Sequence, residues 1–392
     1  MTPLANSVFA SLPTTIFEVM SGLARQHDAV NLGQGFPDAD GPLDVRQAAA
    51  RASLDGPNQY APMLGLPALR QAVAEHYGRR QGLNVTPEQV IVTAGATEAL
   101  AACFLALLSP GDEVVLFQPL YDSYAPMVRR AGGVPRLVRL EPPTWSLTRE
   151  ALEAAFTVRT RLVVFNNPLN PAAIVYPQAQ LELLAEVCRR FDCLAVCDEV
   201  WEHVVFDGAA HIPLIRLPGM AERTIKIGSA GKIFALTGWK VGWTIASPEL
   251  TAILARAHQY LTFCVAANLQ AAIAHGLDRT DGYFEEAPAA FARSRDRLSN
   301  GLRTEGFSVL PSQGTYFLNI DLAASGVRMD DASFCLQAVA SAKVAVIPVS
   351  AFYEDQPVKH IMRLCFAKAD ATLDLGVERL SRARDAALVG EI

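Results

Sequence analysis

Seven short runs of β-branched and other apolar residues recur between residues 89 and 246, and several are followed by Ala- and Leu-rich helical stretches. The runs are QVIVTA (89–94), EVVLFQ (113–118), PRLVRL (135–140), RLVVFN (161–166), LAVCDE (194–199), TIKIG (224–228) and VGWTIA (241–246). Continuous apolar runs are what strands covered on both faces look like. Their alternation with helical stretches such as Thr97–Leu108 and Gln178–Phe191 predicts an α/β fold, a mostly parallel seven-stranded sheet flanked by helices. In such sheets ligands bind beyond the carboxyl ends of the strands, so the polar residues closing each run are the candidates for chemistry. After about residue 250 the pattern changes. Helical stretches Ala252–Leu261, Ala266–Leu277 and Glu285–Gly306 lead into GTYFLNID, VAVIPVSAF and IMRLCFAK, which predict a smaller α+β domain. The expected division is an N-terminal arm with part of the small domain (1–40), a large domain (41–275) and a small C-terminal domain (276–392).

Composition narrows the function classes. With 51% hydrophobic and 19% charged residues, the 392-residue chain lies far from the disordered regime. Lys and Arg number 34 against 40 acidic residues, without a dense basic block, which argues against nucleic acid as a partner. The longest apolar stretch, Leu100–Leu108, falls well short of the ~20 residues of a membrane span. The opening MTPLANSVFASLPTTIFE shows no basic segment followed by a long apolar one, so no secretory leader is expected. Seven cysteines form no CxxC pair and seven histidines no HxH or HExxH, which points to a reduced, cytoplasmic protein without a metal.

Lys232 lies in IKIGSAGKIFALTGWKVGW (225–243), after a strand and the small-residue turn Gly228–Gly231. In an apolar loop at a strand end, a lysine sheds its proton readily and serves as an imine-forming amine. A solvated loop lysine is the plainer reading. The turn offers Ser229 and backbone N–H groups to a phosphate, and Lys240 adds a second cation. It is not a Walker loop, because Lys226 and Ile233 stand where a glycine and a Ser or Thr are required. In AVCDEVWEH (195–203), Asp198 ends a buried strand, where a carboxylate needs a cationic partner. A structural salt bridge or a helix cap would explain it, and the sharper reading is a partner for a protonated ring nitrogen. VVFNNPLNP (163–171) ends a strand with two Asn-Pro pairs, ordinary turn chemistry by themselves. TAGATEA (93–99) reads as a capped helix start or as an anion site made by the N–H groups of Ala96 and Thr97. GxGxxG is absent there and from LGQGFPDADG. A lysine, a carboxylate and phosphate donors at strand ends are together what pyridoxal phosphate requires.

With these motifs in this order the sequence resembles the fold-type-I pyridoxal-phosphate aminotransferases of class I/II, whose fold is that of aspartate aminotransferase. It is most similar to the branch of kynurenine, methionine and N-succinyl-diaminopimelate aminotransferases. TTIFEVMSGLA, VNLGQGFPD, NQYAPMLGLPALR and MRLCFAKADATLD extend the likeness over nearly the whole chain. The resemblance implies that Lys232 forms the aldimine with pyridoxal 5'-phosphate and later moves the proton between Cα and C4′. It makes Asp198 the partner of the pyridinium, Asn170 a donor to the phenolate oxygen and Tyr121 the ring that stacks on the cofactor. Ser229, Lys240, Ala96 and Thr97 would bind the phosphate, and Tyr60 the phosphate of the neighbouring subunit of a homodimer with shared active sites. Arg363 would clamp the substrate carboxylate, with Gly35 beside it.

Two positions depart from the family pattern. Trp201 stands where the family has a tyrosine bonded to the phenolate, and NPLNPAA puts Ala172 and Ala173 where Thr and Gly are usual. Indole N–H donates but neither accepts nor titrates. If position 173 needs a positive φ, alanine there costs about 1 kcal/mol. The expected function is transfer of the amino group of a neutral, aromatic or sulfur-containing L-amino acid to a 2-oxo acid through a pyridoxamine intermediate. A C–S β-lyase on the same cofactor and a non-catalytic cofactor-binding protein are the competing readings.

Overall fold

The computed structural model describes residues 6–390. The ends of the expected arm (1–5) and of the expected C-terminal domain (391–392) lie outside the described residues. The seven runs are seven strands of one sheet: β1 (Val90–Thr93), β2 (Glu113–Gln118), β3 (Val134–Arg139), β4 (Thr160–Asn166), β5 (Leu194–Asp198), β6 (Thr224–Ser229) and β7 (Gly242–Ile245). Their order is β1-β7-β6-β5-β4-β2-β3. Neighbours from β6 to β3 run parallel, whereas β7 is antiparallel to both β1 and β6. Strands β1, β6 and β7 are buried along their whole length, although β1 ends the order and β6 carries Lys226 within its run. On β3, Val134 is exposed and the strand carries Arg136 and Arg139, charges that mark an outer strand and block further pairing.

Between β6 and β7, the strands pack so closely that a Cβ on Gly228 would lie 2.2 Å from Trp243 Nε1. Glycine is required there for the buried indole to cross the strand. The helix Gln178–Arg190 buries Leu181, Leu184, Ala185 and Cys188, a stripe at i, i+3, i+4 and i+7, and turns Glu182 and Arg189 outward. Each fully buried leucine of this kind contributes about 1.5–3 kcal/mol.

A second, antiparallel sheet joins β8 (Ser308–Val309), β9 (Phe317–Asp321), β10 (Ile347–Pro348) and β11 (Ile361–Cys365) in the order β10-β11-β9-β8. VAVIPVSAF does not make one strand. Val344–Ala345 pairs with Val30–Asn31, and Ile347–Pro348 pairs with β11. The two pairings part at Val346 and join different partners, so the run is cut into two short strands. The first pairing fastens the N-terminal segment to the C-terminal part of the chain.

Lys226, in the middle of β6, is fully buried. Its ammonium donates to Glu199 and, at 2.5 Å, to Glu202 Oε2. Tyr77 and Gln81, from the helix Pro67–Gln81, donate to Glu202 as well, and Trp243 Nε1 donates to the Tyr77 hydroxyl at 3.0 Å. Beside this network His76 Nε2 and His203 Nε2 are 2.7 Å apart, so one ring donates and the other accepts. Burial pushes the His76 imidazole down to about 2 and that of His203 to about 3, with the Lys226 ammonium adding to the second. A histidine held neutral in the fold takes up a proton on unfolding at any pH between its folded value and about 6.5. Its contribution is therefore complete above pH 6.5 and is lost as the pH falls. At pH 5 the loss is roughly 2 kcal/mol for one such histidine. Burial lowers His258 as well, yet its bond to Glu98 outweighs this and raises it overall, which opposes the trend in part. Urea midpoints should fall steeply between pH 7 and pH 5, and the double variant His76→Gln, His203→Gln should flatten that slope. A slope unchanged in the double variant would remove the pair from the account.

Candidate active site

The carboxyl ends of β4, β5 and β6 and the start of β7 surround a cleft of about 230 Å³. Its floor is Asp198, the last residue of β5. Asp198 Oδ2 accepts from the Tyr124 hydroxyl at 2.5 Å, while Oδ1 is buried with no partner. Burial raises this carboxyl above the usual range, and the Tyr124 hydrogen bond and the Lys232 charge only partly offset that. The site thus holds a desolvated carboxyl oxygen at the floor of the cleft.

Lys232 sits on the single turn Ala230–Ile233 that follows β6. It is half-buried, with Nζ 3.3 Å from the Tyr316 hydroxyl and 4.6 Å from the centre of the Trp201 ring. Burial lowers its amine to about 8, the Lys240 and Arg363 charges push the same way, and Asp198 pulls against them. A buried amine near neutrality is suited to nucleophilic and proton-transfer work.

At the other end of the cleft, the helix Gly95–Leu107 begins directly after β1. Gly95 has φ +74°, and a Cβ there would lie 3.1 Å from Lys240 Nζ. The glycine keeps space open between the helix N-terminus and a cation, the arrangement that suits a phosphate. Glu98 Oε2 accepts from Ala94 N–H at 3.0 Å and Glu98 Oε1 pairs with His258 Nδ1 at 2.9 Å, which fixes this loop.

Asn170 is placed by its neighbour Asn166, whose Oδ1 accepts the Asn170 N–H at 2.8 Å. Asn170 Oδ1 accepts from Arg363 Nη1 at 2.9 Å, and Arg363 Nη2 donates to Gly33 O at 3.0 Å. The guanidinium is buried 3.9 Å from the centre of the Phe317 ring, and its Nε has no partner. Burial lowers it to about 10. Such a group is primed to take a planar anion.

Ala96, Thr97, Tyr121, Asn170, Asp198, Trp201, Ser229, Lys232 and Lys240 all border the one cleft. Arg363 joins it through Asn170. Gly35 does not border it: its carbonyl accepts from the Tyr316 hydroxyl at 2.7 Å, and the glycine carbonyl touching Arg363 belongs to Gly33. Tyr60 stands 85% exposed, away from the cleft, edge-on to Phe263. The sequence reading passed over Tyr124, Asn166 and Tyr316. The first lies beside Tyr121 in FQPLYDSY and the second closes the run RLVVFN, where a polar strand end is itself a signal, whereas nothing local marks Tyr316.

Both departures from the family pattern have a visible form. Trp201 is buried edge-on to Tyr316, with ring centres 4.3 Å apart, and presents its face to Lys232. Ala173 has φ 61° and is fully buried, its carbonyl accepting from Gln313 and Gly314. The left-handed strain of about 1–2 kcal/mol is offset in part by the buried methyl, worth about 0.8 kcal/mol. Glu199, Glu202 and His211 bring potential metal ligands within 4.8 Å of one another, but the Lys226 ammonium is bonded to both glutamates.

A family model described as aminotransferase class I and II matches residues 27–380. The chain is 40% identical to the methionine aminotransferase of Escherichia coli K12, over 96% of this chain and 98% of that one. The structure of N-succinyldiaminopimelate aminotransferase from Mycobacterium tuberculosis superposes with a TM-score of 0.93 at 43% identity, over 97% and 100% of the two chains. Aspartate aminotransferase from Thermus thermophilus, solved with maleate, superposes with a TM-score of 0.90 at 33% identity, over 98% and 100%.

Proposed function

Since the chain belongs to the class I and II aminotransferases and acts as a transaminase, we propose that the cleft holds pyridoxal phosphate and that the donor is a neutral, aromatic or sulfur-containing L-amino acid. The observation that carries the cofactor is Asp198 Oδ1, a buried carboxylate oxygen without a partner, on the same floor as a half-buried lysine. A protonated ring nitrogen satisfies the first and an aldehyde carbon the second. The space above Gly95, between the helix N-terminus and Lys240, suits the phosphate. When bound, the cofactor supplies an electron sink for bond changes at the substrate Cα.

The chain's own residues do the rest. Asp198 keeps a proton on the ring nitrogen, and Tyr124 holds Asp198 in place. Lys232 takes the proton from substrate Cα and returns it on the far side of the transfer. Arg363 binds the substrate carboxylate, held for it by Asn170 and the Gly33 carbonyl. Tyr121 and Trp201 wall the cleft with aromatic surface, which favours apolar side chains.

The same proposal includes a cytoplasmic homodimer. Tyr60 and Phe263, exposed and packed on each other, form a surface suited to a second copy of this chain, where Tyr60 would reach the partner's phosphate. Among the described residues no helix is long and apolar enough to cross a membrane.

The test is to load the purified protein with pyridoxal phosphate and add single L-amino acids without an acceptor. A visible band that bleaches, with one equivalent of the matching 2-oxo acid formed per site, supports the reading and ranks the donors. Continued release of pyruvate and ammonia from a cysteine conjugate would replace it with β-elimination. Failure to take up the cofactor at all would end it.

A further inference from the structure

Tyr316 is fully buried, directly before β9, and its hydroxyl is shared between two groups. It donates to Gly35 O at 2.7 Å and accepts from Lys232 Nζ at 3.3 Å. A phenol has one proton to give. With that proton committed to Gly35, only lone pairs face the lysine. Burial raises the phenol well above its ordinary range, so it remains a donor to Gly35 at any working pH. Trp201 packs edge-on against the same ring and places its own face 4.6 Å from Nζ. The amine is thus held between a hydroxyl that only accepts and a π-face that favours N–H.

We propose that Tyr316 is a positioning residue for Lys232, orienting its N–H groups toward the Tyr316 oxygen so that the nitrogen lone pair points into the cleft. This rests on the reading of Lys232 as the residue that moves the Cα proton. The arrangement gives Trp201 a purpose. A tyrosine at 201 would bring a second hydroxyl oxygen to compete for the lysine, whereas indole offers only its π-face and leaves the oxygen acceptor to Tyr316. The next residue, Phe317, stacks on Arg363 at 3.9 Å. One dipeptide of the C-terminal sheet therefore touches both the amine and the carboxylate clamp, and a substrate seated on Arg363 meets an amine held in register with it.

Tyr316→Phe tests this with two independent readouts. The first uses the protein without cofactor: competitive labelling of amines across pH, with exposed Lys343 as internal reference. Loss of the acceptor should move the titration of Lys232 to lower pH, because the hydroxyl favours the charged amine. The second uses the loaded enzyme. Its kcat should fall roughly ten- to hundredfold, with KM for the amino donor within about twofold, and the isotope effect of Cα-deuterated substrate should rise. An unmoved Lys232 titration, or a lower kcat with an unchanged isotope effect, would overturn the proposal and leave Tyr316 a packing residue. Labelling does not depend on turnover, so failure of the transaminase reading would show separately, as wild-type protein inert toward every donor. Should the phenylalanine variant fold poorly, 3-fluorotyrosine at position 316 keeps the shape and weakens the acceptor, and it should shift the labelling in the same direction by a smaller amount.

Discussion

Replacing Lys232 by alanine lowers transamination by roughly 10⁴-fold, the upper end of what one positioned acid–base group contributes. Two of its properties lead to this figure. Its amine is lowered by burial to about 8, close enough to neutrality for a useful fraction to be free base. It is also aimed, by Tyr316 and Trp201, into the cleft that Asp198 floors. Neither neighbouring lysine substitutes: Lys240 is exposed beside Gly95 at the start of the helix Gly95–Leu107, and Lys226 is bound to two glutamates beneath the sheet. The alanine variant should fold, since the side chain is only half-buried and makes a single hydrogen bond. Added ethylamine should recover part of the rate by occupying the space the side chain leaves. The measurement is a single-turnover half-reaction at pH 8 with and without the amine. Activity within tenfold of the wild type would sink the assignment of the proton-moving base.

Lys226→Met lowers stability by about 3–5 kcal/mol, the usual cost of removing one member of a buried ion pair. Glu199 and Glu202 are both buried, and their carboxylates converge on the Lys226 ammonium. Burial acts to lower that ammonium, but the two glutamates outweigh it and raise it above the ordinary lysine value. Without it, two carboxylates face each other out of water, with Tyr77, Gln81 and His211 as their remaining neighbours. The triple variant Lys226→Met, Glu199→Gln, Glu202→Gln removes the unpaired charges and should regain most of the loss. Urea unfolding monitored by tryptophan fluorescence gives both numbers, and it also reports on Trp243, which donates to Tyr77 in the same network. A single variant as stable as the wild type would mean that the glutamates take up protons on losing Lys226, and the loss would then reappear above about pH 7.

The large sheet was legible in the sequence because strands covered on both faces leave a largely apolar signature, and the seven runs became β1 to β7. Charges enter only the outer strand β3 and, singly, at Glu113 of β2, Arg161 of β4, Asp198 of β5 and Lys226 of β6. The reversal of β7 was not legible, since direction leaves no mark on a run of four buried residues. Asp198 and Lys232 stand out because each closes a strand or the turn after one, whereas Asn170, in an Asn-Pro pair that reads locally as an ordinary turn, is named only by the family resemblance. Tyr124 meets Asp198 from 74 positions away, and Tyr316 meets Lys232 from 84. Contacts of that span follow no local period. Lys226 shows the same limit from the other side. Read along the chain it merely broke a Walker pattern, yet in space it is bonded to two buried glutamates.

The reversal of β7 bears on the order in which the molecule assembles. Because β6 and β7 are antiparallel neighbours, with Ser229 opposite Gly242, the segment between them is the tip of a hairpin. Lys232 and Lys240 ride on that tip, brought together by pairings that span few residues. Asp198 joins through the parallel pairing of β5 with β6, and Arg363 reaches Asn170 across 193 positions. Contacts near in sequence form fast, and those far apart wait for loop closure. The two lysines are therefore neighbours early during refolding, while the acid, the amide and the guanidinium arrive late. Cofactor capture would then mark the close of assembly, when the two sheets have met.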